Sequence, residues 1–154
     1  MGKSKFSLNY KDEALDALIE KTDHKILAVW ALDCAERILP YFESAYPSDP
    51  RPRQALETLQ TWIDTGVFKM AVIRKASLSS HAAAREVGED NPARSAARAA
   101  GQAVATAHVR THAIGAALYG LQAIHRATDP AGADAAVVAE RIWQYQHLLE
   151  LGTR

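Results

Sequence analysis

Apolar side chains recur at intervals of three and four residues along most of this chain. Leu27, Trp30, Ala31, Cys34, Ile38 and Phe42 form one such stripe, and Leu56, Leu59 and Ile63 form another. No stretch alternates apolar and polar residues over the length of a strand. The pattern predicts an all-helical protein. Capping residues and helix breakers divide it. Asn9 predicts the start of a first helix reaching about Lys21, with Asp12 in its first turn, and Asp23 predicts the start of a second that runs past Phe42. Asp49-Pro50 opens a third, which Gly66 closes. A fourth runs from about Val67 to Val87, with Gly88 as its stop, and Asn91-Pro92 begins the next segment. Asp129-Pro130 and Gly132 end that segment, and a last helix covers about Ala133 to Leu151.

The segment from Pro92 to Ala127 is too long for one helix of a compact domain. It would measure ~54 Å at 1.5 Å per residue, against a radius of gyration near ~15 Å. A break is expected at His108-Val109-Arg110-Thr111-His112, where all but Arg110 are poor helix formers, with Gly101 as the second choice. The expectation is about seven helices in a single domain over residues 1–154, mostly antiparallel, as a bundle or a short solenoid-like stack.

Roughly a fifth of the residues are alanine, well above ordinary usage. Between Pro92 and Ala107 small residues lie on nearly every side of the predicted helix, so neighbouring backbones can approach closely. A helix of that kind belongs at the centre of the domain, with Trp30, Phe42, Trp62, Leu118, Tyr119 and Trp143 as candidate large partners.

Charge excludes more than it assigns. Lys and Arg number 18, as do Asp and Glu, giving a formal net charge of zero. A protein built to coat nucleic acid or an anionic membrane needs a large positive excess. The single cysteine, Cys34, excludes an internal disulfide and a cysteine-rich zinc site. With no apolar leader or membrane-length run, a soluble cytoplasmic protein is expected.

The candidate chemistry is polar and scattered. Asp33 and Arg37 stand four apart beside Glu36 and can pair on one helix surface. Pro50-Arg51-Pro52-Arg53 holds two guanidinium groups beside a helix N-terminus, where the dipole does not favour them. A carboxylate such as Asp33 or Glu36, or an external anion, must offset that. His81, Arg85 and Glu86 share a helix, and Arg94, Arg98 and Gln102 repeat the four-residue spacing in the next, which reads as a polar seam between alanine-rich helices. His108 and His112 have the spacing of two metal ligands on a helix face, with His81 as a third, but no carboxylate accompanies them in a metal-binding motif. Cys34, inside an apolar stripe, reads as an inert buried thiol.

The strings WALDCAER (30–37), DPRPR (49–53), HAAARE (81–86) and AARAAGQAVATAHVRTHAIGAALYG (96–120) together resemble the immunity-protein-5-like family associated with bacterial polymorphic-toxin systems, over about residues 24–127. The resemblance implies an all-helical, non-enzymatic protein that binds and neutralises a cognate toxin. It supplies no catalytic residues and implies no cofactor. On this reading Asp33, Glu36, Arg37, Arg51, Arg53, His81, Arg85, Glu86, Arg98, His108 and His112 are the candidate binding residues, expected either to converge on one site or to serve as internal pairs that specify the fold. The competing reading is a metal- or small-molecule-dependent enzyme using His81, His108 and His112. Alanine-rich faces also suit a homo-oligomer.

Overall fold

The computed structural model describes residues 2–9 and 11–153. Among them are eight helices and no strand: α1 (Glu13–Lys21), α2 (His24–Ile38), α3 (Pro40–Ala45), α4 (Arg51–Thr65), α5 (Met70–Glu86), α6 (Pro92–Ala105), α7 (His112–Ala127) and α8 (Ala133–Gly152). They form one all-α domain.

Several boundaries differ from the sequence expectation. Helix α1 is capped by Asp12 rather than Asn9, because the Asp12 carboxylate accepts the Leu15 amide at 3.1 Å. The expected second helix is split at Pro40, which has no N–H to continue the α2 ladder and whose ring excludes the preceding helical turn. Residues 67–69 do not extend α5: Gly66 ends α4 at φ 69°, and the chain stays extended until Lys69. The break between α6 and α7 falls where expected, over residues 106–111. Its backbone is tied to the α1–α2 junction. His24 Nε2 donates to the Thr106 carbonyl at 2.6 Å, and the Arg110 guanidinium donates to the carbonyls of Ile19 (2.9 Å) and Thr22 (2.6 Å). Those carbonyls lie at the end of α1, where the Ile19 carbonyl also accepts the Thr22 amide at 3.1 Å, so Arg110 adds to the cap of α1 from across the fold.

Helix α6 is the centre. It packs against α2, α3, α4, α5 and α7, which makes the architecture a bundle around a central rod rather than a stack of sequential repeats. Ala93, Ser95, Ala96, Ala97, Ala99, Ala100, Gly101, Ala103 and Val104 of α6 are all buried. Methyl-sized side chains bring the neighbouring backbones close enough for short hydroxyls to bridge them. Ser80 of α5, fully buried, donates to the Ala97 carbonyl at 2.7 Å, and Ser77 donates to the Gly101 carbonyl at 2.9 Å. On the other side Ser95 donates to Gln122 of α7 at 2.8 Å. The large residues come from the surrounding helices. Trp30 and Phe42 are fully buried, while Trp62, Tyr119 and Trp143 pack against the core partly exposed.

Candidate functional site

The candidate polar residues fall into three networks, each held by a different set of helices. The first joins α2 to α8. Arg37 makes a bidentate ion pair with Glu140, both contacts 2.8 Å, and its guanidinium lies 3.8 Å from the centre of the Trp143 ring. Trp143 stacks on His147 at 4.7 Å, and His147 Nε2 lies 2.7 Å from the Asp33 carboxylate. Asp33 and Arg37 therefore do not pair with each other, as their four-residue spacing suggests. Each finds a better-placed partner on α8, where Glu140, Trp143 and His147 project from one face at positions i, i+3 and i+7. Glu140 is 7% exposed, so its carboxylate depends on Arg37 for compensation. The hydrogen bonds that Arg37 donates to Glu140 are the main reason the Arg37 pKa rises.

The second network surrounds the Pro-Arg-Pro-Arg segment. Arg53 bridges Glu36 of α2 (2.7 Å) and Glu43 of α3 (2.8 and 3.1 Å), and Arg51 bridges Asp49 (2.6 Å) and Glu86 of α5 (2.7 Å). Internal carboxylates thus offset the two guanidinium groups. Glu36 matches the expectation, whereas Asp33 turns to His147. The arginine bonds hold the carboxyls of Glu43, Asp49 and Glu86 below their ordinary range. Arg51, at the start of α4, also holds Glu86 at the end of α5, and so fixes the relative position of those helices.

The third network is the seam between α5, α6 and α7. The His81 ring lies directly on Gly101, so close that a β-carbon there would sit 2.7 Å from Nε2. Arg98 donates to His81 Nδ1 at 3.1 Å. That bond requires an unprotonated Nδ1, and burial lowers the His81 pKa to about 4, with the positive charges of Arg98 and Arg85 adding to the effect. His112 Nδ1 meets the Gln102 carbonyl oxygen at 2.9 Å, and Gln102 in turn lies on Gly115, where a β-carbon would meet it at 2.7 Å. Burial lowers the His112 pKa as well, assisted by nearby His108. Arg85 is exposed. His108 stands in the turn between α6 and α7, exposed and stacked on Phe68 at 5.8 Å.

The candidate residues thus do not share one centre. No contact among the described residues links Asp33 or Arg51 to His112. The two histidines four apart do not share a helix face, because the chain is non-helical at His108. Among the described residues no three His, Cys, Asp or Glu side chains are placed to hold a metal ion. Cys34 is buried, and burial, then the charges of Glu140 and Asp33, push its thiol pKa well up. No helix among the described residues is long and apolar enough to cross a membrane.

Sequence reasoning missed Glu140, Trp143 and His147 as partners of α2, and Glu43 and Asp49 as partners of the arginines. Their helical spacing on α8 is visible in the sequence, but their pairing with residues more than a hundred positions away is not. It also missed the run of exposed residues 67–72, including Val67, Phe68, Met70 and Val72, because those residues read as the interior of a helix.

A family model described as "Imm-5 like putative immunity protein" matches residues 17–151. The chain belongs to this Imm-5 like family. The match extends beyond residues 24–127, on which the sequence resemblance rests, and takes in most of α1 and nearly all of α8. The α2–α8 network therefore lies inside the family unit. No curated protein and no solved structure matches the chain.

Proposed function

We propose that this chain is an immunity protein that neutralises a cognate toxin by binding it stoichiometrically. Membership of the Imm-5 like family across residues 17–151 carries the reading. The internal organisation agrees with it. Arg37, Arg51 and Arg53 are engaged in ion pairs between helices, Asp33 in a hydrogen bond with His147, and His81 and His112 in hydrogen bonds within a packed seam. Side chains so engaged make a rigid scaffold, and rigidity lowers the entropy lost when a surface binds its partner. The competing enzyme reading would need His81, His108 and His112 to act together, but their ring nitrogens serve Arg98 and Gln102, and His108 stacks on Phe68.

The test is a titration of toxin activity. Candidate toxin domains encoded near the gene for this chain are identified and purified, and the activity of each is followed as the chain is added. Stoichiometric neutralisation gives a linear loss of activity that ends at one equivalent. Full activity in the presence of excess chain, or complete loss at a small fraction of an equivalent, would defeat the reading.

A further inference from the structure

The most unusual surface lies where α4 passes into α5. All six residues from Val67 to Val72 are exposed, and four of them are large and apolar: Val67, Phe68, Met70 and Val72 are 43–59% exposed. Consecutive exposed apolar residues are a liability in a folded protein unless something uses them. Leu78, 54% exposed, lies farther along α5 on another side of the helix. Between α4 and α5 there is a cleft of about 340 Å³, lined by Trp62, Ile73, Val67, Lys69 and Val72 together with threonines of α4. That volume suits an inserted side chain of a partner.

Residues 67–78 contain three cations and no acid. Lys69, Arg74 and Lys75 are all exposed, and none makes an ion pair among the described residues. Glu57 shares a neighbouring groove with Lys75 without pairing to it. No side chain caps the N-terminus of α5, so its free amides add positive potential at Lys69. Most arginines elsewhere are held in internal ion pairs or hydrogen bonds, and the whole chain is neutral. Three unpaired cations thus lie on the segment whose apolar side chains are exposed.

We infer that the α4–α5 face, residues 67–78 with the Trp62 cleft, is the docking surface for a partner protein that presents an apolar side chain flanked by carboxylates. Two copies of the chain would set like charges against each other here, so the occupant is not a second copy. A cleft with Lys69 at its edge and two more cations along the same helix, on a neutral protein, fits a shaped acidic protein surface better than a lipid headgroup layer. The inference rests on the binding role proposed above and adds the place and the chemistry.

The experiment has two arms. In the first, an amphipathic peptide of Glu, Leu and Phe, and its counterpart of Lys, Leu and Phe, are titrated into the isotope-labelled full chain and followed by backbone amide shifts. The acidic peptide is expected to move amides of residues 67–78, to lose affinity with added salt, and to bind about thirtyfold more weakly to Phe68→Ser or to the Lys69→Glu/Arg74→Glu/Lys75→Glu triple variant. All of these sites are exposed, and unchanged melting temperatures verify that the variants fold. Equal binding of both peptides, or shifts centred on the exposed α8 residues Val138 and Ile142, overturns the inference. So does a dimer that Phe68→Ser dissociates, or uptake by phosphatidylserine vesicles without peptide binding. In the second arm the same variants meet the adjacent-gene toxin domain. Wild-type binding with undiminished binding of both variants overturns the face and leaves the toxin role standing. Peptide binding at residues 67–78 with no wild-type binding of the toxin sustains the face and removes the toxin role.

Discussion

The imidazole of His81 rests on the α-carbon of Gly101, so that one helix supplies the ring and the next supplies the gap that receives it. A β-carbon at position 101 would lie 2.7 Å from Nε2. Gly101→Ala must therefore displace a ring that Arg98 holds in place, and is expected to cost about 1–2 kcal/mol. Pairing it with His81→Ser should recover most of that loss, since the two changes act on one contact. Chemical denaturation of the two single variants and the double variant measures the coupling; strictly additive losses would show that the contact is not the cause.

The same ring makes stability depend on pH. In the unfolded chain His81 titrates near 6.5, and in the folded chain at about 4. Between those values the unfolded state binds more protons, so acid favours unfolding. The contribution is complete above pH 6.5 and drains away as the pH falls towards 4, with His112 shifted in the same direction. The denaturation midpoint should fall between pH 7 and pH 5, before the depressed carboxyls of Glu43 and Asp49 begin to protonate. His81→Gln should flatten that slope. An unaltered slope in His81→Gln would contradict this account.

Arg37 and Glu140 should behave unequally. Arg37→Met strands a buried carboxylate and is expected to cost about 2–3 kcal/mol, below the usual loss for a broken buried pair because Arg37 itself is partly exposed. Arg37→Met with Glu140→Met should restore much of the loss, since two apolar side chains need no compensation. Thermal melts of the three variants would check this ranking.

Cys34 should be inert in the folded protein. It is 1% exposed, and its surroundings disfavour the thiolate. Thiol reagents at mildly alkaline pH should modify it only at the rate of unfolding. Fast modification under native conditions would show that α2 opens locally.

Local signals were enough to reveal much of this fold. Alanine content marked α6 as central, and poor helix formers placed the break near His108. The prolines and the unfavourable dipole at Arg51 and Arg53 pointed to nearby carboxylates, of which Glu36 was one. What the sequence hid was mostly tertiary. Asp33 and Arg37 look like partners on one helix, but α8 lies alongside and offers an imidazole, an indole and a carboxylate. Their choice depends on helix packing, which spacing within α2 does not encode. The Asn9 start failed because Asp12 also satisfies the capping pattern, and Arg141 of α8 holds its carboxylate at 2.7 Å. The expectation of one shared polar centre failed for a simpler reason. Arginines distributed over several helices each reach the nearest acid, and so staple the bundle at several places.

Hydrogen exchange of this chain, with and without one equivalent of the adjacent-gene toxin domain, tests binding and its location together. The account predicts slowed exchange over residues 67–78, with α2 and α8 unchanged around Asp33, Arg37 and His147. Protection confined to the α2–α8 network, or no protection anywhere, would contradict it.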